Sequence, residues 1–270
     1  MHKEKILISF DGTELFFVTD LPKNMKAIII IIHGGAEHQA RYDYITMQFN
    51  KFDYGVCRFD NRGHGRSGGK RGYIDNFHNF IDDADLIVEL VKEEYSYLPV
   101  FMLGHSMGGL ITCAYGIKHP MKLYGQILCG ALVTEIPWFN DIKGIDVEKN
   151  GEMQLSCDLT YLICRDQNVI KNAESDPLFL KYYTVKLYSS LLSGVRWLNK
   201  NIKKYTCPCL ILHGSEDKII NKTSSEYLYN EISSIDKNIK IYEGLYHEIL
   251  NEFEKNIIIS DISNWINNRI

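Results

Sequence analysis

Apolar residues keep two periods in turn along this chain. Residues 27–32 (AIIIII) are apolar at every position, the mark of a strand covered on both faces. Residues 55–59, 100–103, 126–132, 209–213 and 240–242 continue the strand series. Between them apolar residues recur every three or four positions over about 40–52, 78–95, 107–118, 222–234 and 253–268, which predicts helices. Ahead of the series, residues 5–10 and 14–18 alternate on either side of Asp11-Gly12, a hairpin signal. Strands alternating with helices specify an α/β protein: a mostly parallel central sheet wrapped by helices, entered here through an antiparallel hairpin.

The rhythm breaks over residues 134–200, which hold no strong strand, several polar turns and an apolar, aromatic stretch over 178–197. Placed between two sheet strands, this segment reads as an inserted helical cap, or lid. The expected division is therefore a core of residues 1–133 and 201–270 with a cap of residues 134–200.

Composition narrows the function. At 270 residues, 45% hydrophobic and 24% charged, the chain is an ordinary globular protein. Area scaling buries about 73% of its unfolded surface, so the core needs no staples. A net charge of −4 argues against a nucleic-acid partner. The one basic cluster, Arg62, Arg66, Lys70 and Arg71, is broken up by glycines and reads as a loop that meets anions. Seven cysteines without framework spacing fit a reducing compartment. The start of the chain, MHKEKILISFDG, alternates like a strand and predicts no secretory signal. The expected location is the cytoplasm, the expected state a monomer or weak homo-oligomer.

The chemistry begins at Gly104-His105-Ser106-Met107-Gly108, a G-x-S-x-G match. By composition alone that pattern turns up in about one in ten chains of this length. Its context is far more specific, because an apolar strand enters it and a helix leaves it, as a nucleophile elbow requires. A serine needs a base, and the base needs a carboxylate to orient it. Only His119, His213 and His247 follow Ser106. His119 ends the helix behind the elbow, and His213 closes a strand ahead of every plausible acid loop and reads as structural. His247 lies between the last strand and the last helix and is the expected base. CLILHGSED runs off the preceding strand, so Asp217 is the expected acid, with Glu216 as the neighbour able to substitute. Asp141, Asp146, Asp158, Asp166, Asp176 and Asp236 read as solvated. An oxyanion also needs donors. The backbone N–H groups of Gly35, just past the AIIIII strand, and of Met107, at a helix start, are the candidates.

Two other patterns fail on context. Gly63-His64-Gly65-Arg66-Ser67-Gly68 matches G-x-G-x-x-G, yet no helix opens behind it to hold a pyrophosphate. His247-Glu248 begins HEILN rather than HExxH, so no zinc-protease motif is present. No metal or cofactor is expected.

HGGAEHQARY (33–42), FDNRGHGRSGGKRGYIDNF (59–77), LGHSMGG (103–109), SDPL (175–178), HGSEDKI (213–219) and YEGLYHE (242–248) resemble, in order, the motifs of the monoacylglycerol lipase and lysophospholipase branch of the α/β-hydrolases. The resemblance implies the α/β-hydrolase fold, a triad of Ser106, Asp217 and His247, and oxyanion donors at Gly35 and Met107. Gly35 stands where the animal lipases usually carry Ala, an exchange expected to be harmless to a backbone donor. The implied reaction is hydrolysis of a carboxylic ester, a monoacylglycerol or lysophospholipid, through an acyl-Ser106 intermediate. A short-chain or aryl esterase or thioesterase with the same triad is the alternative, and a non-catalytic binding protein on the same fold a remote one. Phe179, Tyr183, Leu187 and Leu191 are the expected substrate-binding residues, set against the plainer reading that this stripe packs the cap onto the core. Contact with a membrane surface through the cap would be at most transient.

Overall fold

A computed structural model describes all 270 residues. Ten strands appear in chain order: β1 His2–Ile8, β2 Glu14–Asp20, β3 Ala27–Ile32, β4 Tyr54–Phe59, β5 Val100–His105, β6 Gly125–Cys129, β7 Gln154–Ser156, β8 Tyr182–Thr184, β9 Cys209–Gly214 and β10 Lys237–Tyr242. Eight helices accompany them: α1 Asp43–Lys51, α2 His78–Glu94, α3 Met107–Lys118, α4 Val147–Asn150, α5 Gln167–Ser175, α6 Val185–Asn201, α7 Thr223–Glu231 and α8 Lys255–Asn267. Eight strands form one sheet in the order β1-β2-β4-β3-β5-β6-β9-β10. The β1–β2 and β2–β4 pairs are antiparallel and the rest parallel. The α/β architecture expected from strand–helix alternation is the one observed.

The two faces of β3 show why every residue in it is apolar. Ile28, Ile30 and Ile32 join the cluster that α2, α3, α6 and α7 pack against, while Ala27, Ile29 and Ile31 join the cluster under α1 and α8. Burying each isoleucine contributes about 1.5–3 kcal/mol. The helices follow the same logic: Phe80, Ile81, Ala84, Ile87, Val88 and Val91 put one stripe of α2 into the core.

Residues 134–200 leave the sheet after β6 and return to it at β9. Here the structure departs from the sequence reading. β7 and β8, three residues each, pair antiparallel into a small second sheet. Strands this short leave no alternation to read. The ladder is anchored from outside, since both the N–H and the hydroxyl of Thr184 donate to the Gly72 carbonyl at 2.9 and 2.7 Å. The expected strand over 126–132 also ends early, at Cys129, because Gly130 turns the chain with a φ of 53°. No helix is long and apolar enough to cross a membrane.

Candidate active site

Loops leaving the carboxyl ends of β3, β5, β9 and β10 carry Gly35, Ser106, Asp217 and His247. In open α/β sheets this edge binds ligands where successive connections switch faces. The switch here lies between β3, followed by α1 on one face, and β5, followed by α3 on the other.

Ser106 sits at the sharp turn from β5 into α3 with φ 55° and ψ −115°, a conformation costing about 1–3 kcal/mol for a residue with a side chain. Its flanking glycines are required by close approach. A Cβ on Gly104 would lie 2.3 Å from the Gly108 carbonyl oxygen, and one on Gly108 would lie 2.1 Å from that of Ile32. The turn is held by the Ser106 N–H donating to the Cys129 carbonyl and the Leu132 N–H donating to that of Ser106, at 3.0 and 3.1 Å.

His247 bridges the two other candidates. Its Nε2 is 2.9 Å from Ser106 Oγ and its Nδ1 is 2.6 Å from Asp217 Oδ2. Asp217 Oδ1 accepts the N–H groups of Ile219 and Ile220, both at 2.9 Å. Burial alone would push the Asp217 carboxyl up, but the adjacent His247 and the bonds from His213 and His247 outweigh it and hold the group well below the usual carboxylate range. Burial likewise opposes a charge on His247, yet the Asp217 carboxylate, followed by Glu248 and Glu37, raises it above the ordinary histidine value. The His105 ring lies 4.6 Å from that of His247 and is pushed down to about 3, chiefly by burial, so it stays neutral.

Several neighbours were not anticipated. His213, read as structural, has its Nε2 3.1 Å from Asp217 Oδ2 and 2.8 Å from the Ile220 carbonyl, and so braces the acid loop. Glu37 accepts from the Gly34 N–H at 2.6 Å and the Tyr42 hydroxyl at 2.9 Å, fixing the turn that contains Gly35. Arg41 lies between Glu37 and Glu248, at 3.2 and 2.6 Å. The only sequence signals for this network are the i,i+4 spacing of Glu37 and Arg41 and the position of Glu248 beside His247. Asp176, expected to be solvated, instead pairs with His38 at 2.7 Å and ties residues 134–200 to that turn. His119 faces away, stacked on Tyr115 at 4.7 Å. The basic cluster is engaged within the molecule: Arg62 with Asp83 and Asp11, Arg66 with Glu4, Lys70 with Glu152, and Arg71 with the carbonyls of Gly65 and Leu178.

The N–H groups of Gly35 and Met107 donate to no protein acceptor, and Gly35 shares the wall of a cavity with Ser106 and His247. At Gly35 it is packing, not the backbone donor, that an exchange for Ala would disturb. A Cβ there would lie 2.1 Å from the Tyr183 hydroxyl oxygen, which already occupies that space. The cavity measures about 70 Å³, room for a few waters rather than a long chain. Phe179 and Tyr183 line it; Leu187 and Leu191 do not. Those two leucines lie on the face of α6 that packs into the main core against α3, so for them the structure corrects the substrate-binding expectation.

An arrangement in which a buried carboxylate orients an imidazole against a strained serine, beside free N–H donors, is competent for nucleophilic acyl transfer. Comparison with known proteins points the same way. Residues 23–254 match the family described as Serine aminopeptidase, S33. The monoacylglycerol lipase of Mycolicibacterium smegmatis is 30% identical, over 89% of this chain and 88% of its own length. The monoglyceride lipase of Rattus norvegicus is also 30% identical, over 98% of this chain and 90% of its own. The crystal structure of Paleococcus ferrophilus monoacylglycerol lipase superposes with a TM-score of 0.84 at 26% identity, covering 95% of this chain and 100% of that one.

Proposed function

Because the chain belongs to the serine aminopeptidase S33 family of α/β-hydrolases, we propose that it is a carboxylic ester hydrolase acting on monoacylglycerols or lysophospholipids, with Ser106 as nucleophile. The observation that supports the roles is the contact chain from Ser106 Oγ through His247 to Asp217. His247 Nε2 takes the hydroxyl proton as Oγ attacks the ester carbonyl, and Asp217 holds the ring and stabilises its charged form. The N–H groups of Gly35 and Met107 receive the developing oxyanion. The alcohol leaves with the proton from His247, and water, activated by the same base, releases the acid.

The substrate class rests on the lipase relatives and on a divided cavity wall. Ala36, Leu159, Ile163, Phe179 and Ile219 give it an apolar side, and Glu37 and Glu248 a polar one that suits a hydroxylated alcohol. Residues 134–200 act as the cap over this wall, bonded to the core through Leu180 N–H to the Ala36 carbonyl at 2.7 Å and Glu248 N–H to that of Ile163 at 2.6 Å. A long acyl chain enters only when these contacts release, and contact with a membrane surface would be transient and made through this cap. Seven buried, unpaired cysteines support a cytoplasmic location. The 70 Å³ cavity favours a second reading, a short-chain or aryl esterase with the same machinery.

Turnover of 4-nitrophenyl esters from two to sixteen carbons, and of monoacylglycerols, separates the two. Rates that peak at medium or long chains, with glycerol released, support the lipase. A peak at acetate or butyrate moves the protein to the small-ester class.

A further inference from the structure

The Tyr183 hydroxyl is a polar group on the cavity wall that the mechanism leaves unused. Its ring is half-buried, packed at 5.3 Å against Tyr188 in an edge-on arrangement, yet its oxygen bonds to no protein group and faces the cavity that holds Ser106 and Gly35. Its position is fixed rather than chosen by a mobile side chain. Tyr183 lies opposite Leu155 in the β7–β8 ladder, and the next residue, Thr184, is tied twice to the Gly72 carbonyl.

Distance gives this hydroxyl a role. It lies 2.1 Å from where a Cβ on Gly35 would be, which by ordinary bond lengths puts it within about 5 Å of the Gly35 nitrogen. Two donors that each stand about 2.9 Å from one acceptor, set at a tetrahedral angle, are themselves about 5 Å apart. A carbonyl oxygen bound by the Gly35 N–H is thus within reach of the phenol too. Resting on the serine-hydrolase reading above, we propose that Tyr183 is a catalytic residue whose hydroxyl donates a third hydrogen bond to the oxyanion, beside the N–H groups of Gly35 and Met107. Burial, with Cys157, Tyr188 and Glu37 nearby, holds the phenol well above its usual range, so it remains a donor at working pH. The glycine at 35 is then the counterpart of the tyrosine at 183. A side chain at either place excludes the other.

The test is Tyr183→Phe, which keeps the ring packing and removes only the hydroxyl, read by 4-nitrophenyl ester turnover and by the rate at which a fluorophosphonate labels Ser106. The expected result is a fall of about 100-fold in kcat with KM little changed, a matching fall in labelling rate, and an unaltered melting temperature. A trifluoromethyl ketone, which forms a tetrahedral adduct on the serine, loses affinity by the same factor. Gly35→Ala alone loses activity, and Gly35→Ala with Tyr183→Ala regains the level of Tyr183→Ala alone. Wild-type labelling with equal rates in Tyr183→Phe overturns the proposal and leaves the hydrolase reading standing. No labelling of wild-type Ser106 overturns the hydrolase reading and the proposal with it.

Discussion

The wall around Ser106 has two halves built in different ways. Ser106, Gly35, Asp217 and His247 each stand within five residues of a strand end in the main sheet. That sheet is gripped on its two faces by clusters of 44 and 23 buried residues. The facing half, from Cys157 to Leu180, rests on three-residue strands, short helices and a satellite cluster of 8 buried residues. Groups that must hold sub-ångström geometry sit on rigid elements, and groups that must admit and release a substrate sit where opening costs least. The nucleophile, base, acid and backbone donors are assigned to the first half, and selection, with the Tyr183 hydroxyl as the one proposed chemical contribution, to the second.

The comparison breaks most sharply at Asp217. Asp217→Asn leaves the fold intact but cannot hold the His247 ring in the right tautomer, and kcat falls about 10⁴-fold; steady-state kinetics beside an unchanged circular dichroism spectrum checks this. Next in size is the contrast between two residues of the same segment. Leu191, 4% exposed in the main core, loses about 2–5 kcal/mol of stability on change to Ala, seen as a lower melting temperature with an unchanged order of acyl-length preference. Phe179→Ala, on the cavity wall and in the satellite cluster, also costs stability but, unlike Leu191→Ala, reorders the preference. If Leu191→Ala alters selectivity instead, the division of α6 from the cavity is wrong.

The smallest effect is on pH. A base must be neutral to accept the serine proton, so activity falls as pH drops through the His247 value, and a raised value puts that acid limb above about 6.5. Glu248 is one of the charges that raise it. Glu248→Gln therefore moves the acid limb of kcat/KM to lower pH, and an unmoved limb would remove Glu248 from the account.

The same two halves differ in how far the sequence discloses them. β3 could be read because a strand buried on both faces must be apolar throughout, and α2 because one stripe at helical spacing must face the core. Ser106 could be picked out because an elbow needs a strand, small neighbours and a helix in that order. Tyr183 gave no such signal. Its ladder is three residues long, its anchor is Gly72, and its effect on Gly35 depends on two side-chain positions 148 residues apart meeting at 2.1 Å. Leu187 and Leu191 misled for a related reason, since an apolar helix stripe looks the same whether it faces a cavity or a core. The bracing of Asp217 by His213 was hidden by chain order, which placed that histidine ahead of the acid although the loop folds back on it.

The assignment of chemistry to the sheet edge is tested most directly by trapping the intermediate. Wild-type protein mixed with a 4-nitrophenyl ester, quenched in acid within the first turnover and digested for mass spectrometry, should carry one acyl group on the peptide that contains Ser106, while Ser106→Ala carries none and loses turnover by about 10⁶-fold. An acyl group on any other residue, or turnover that survives Ser106→Ala, would contradict the account.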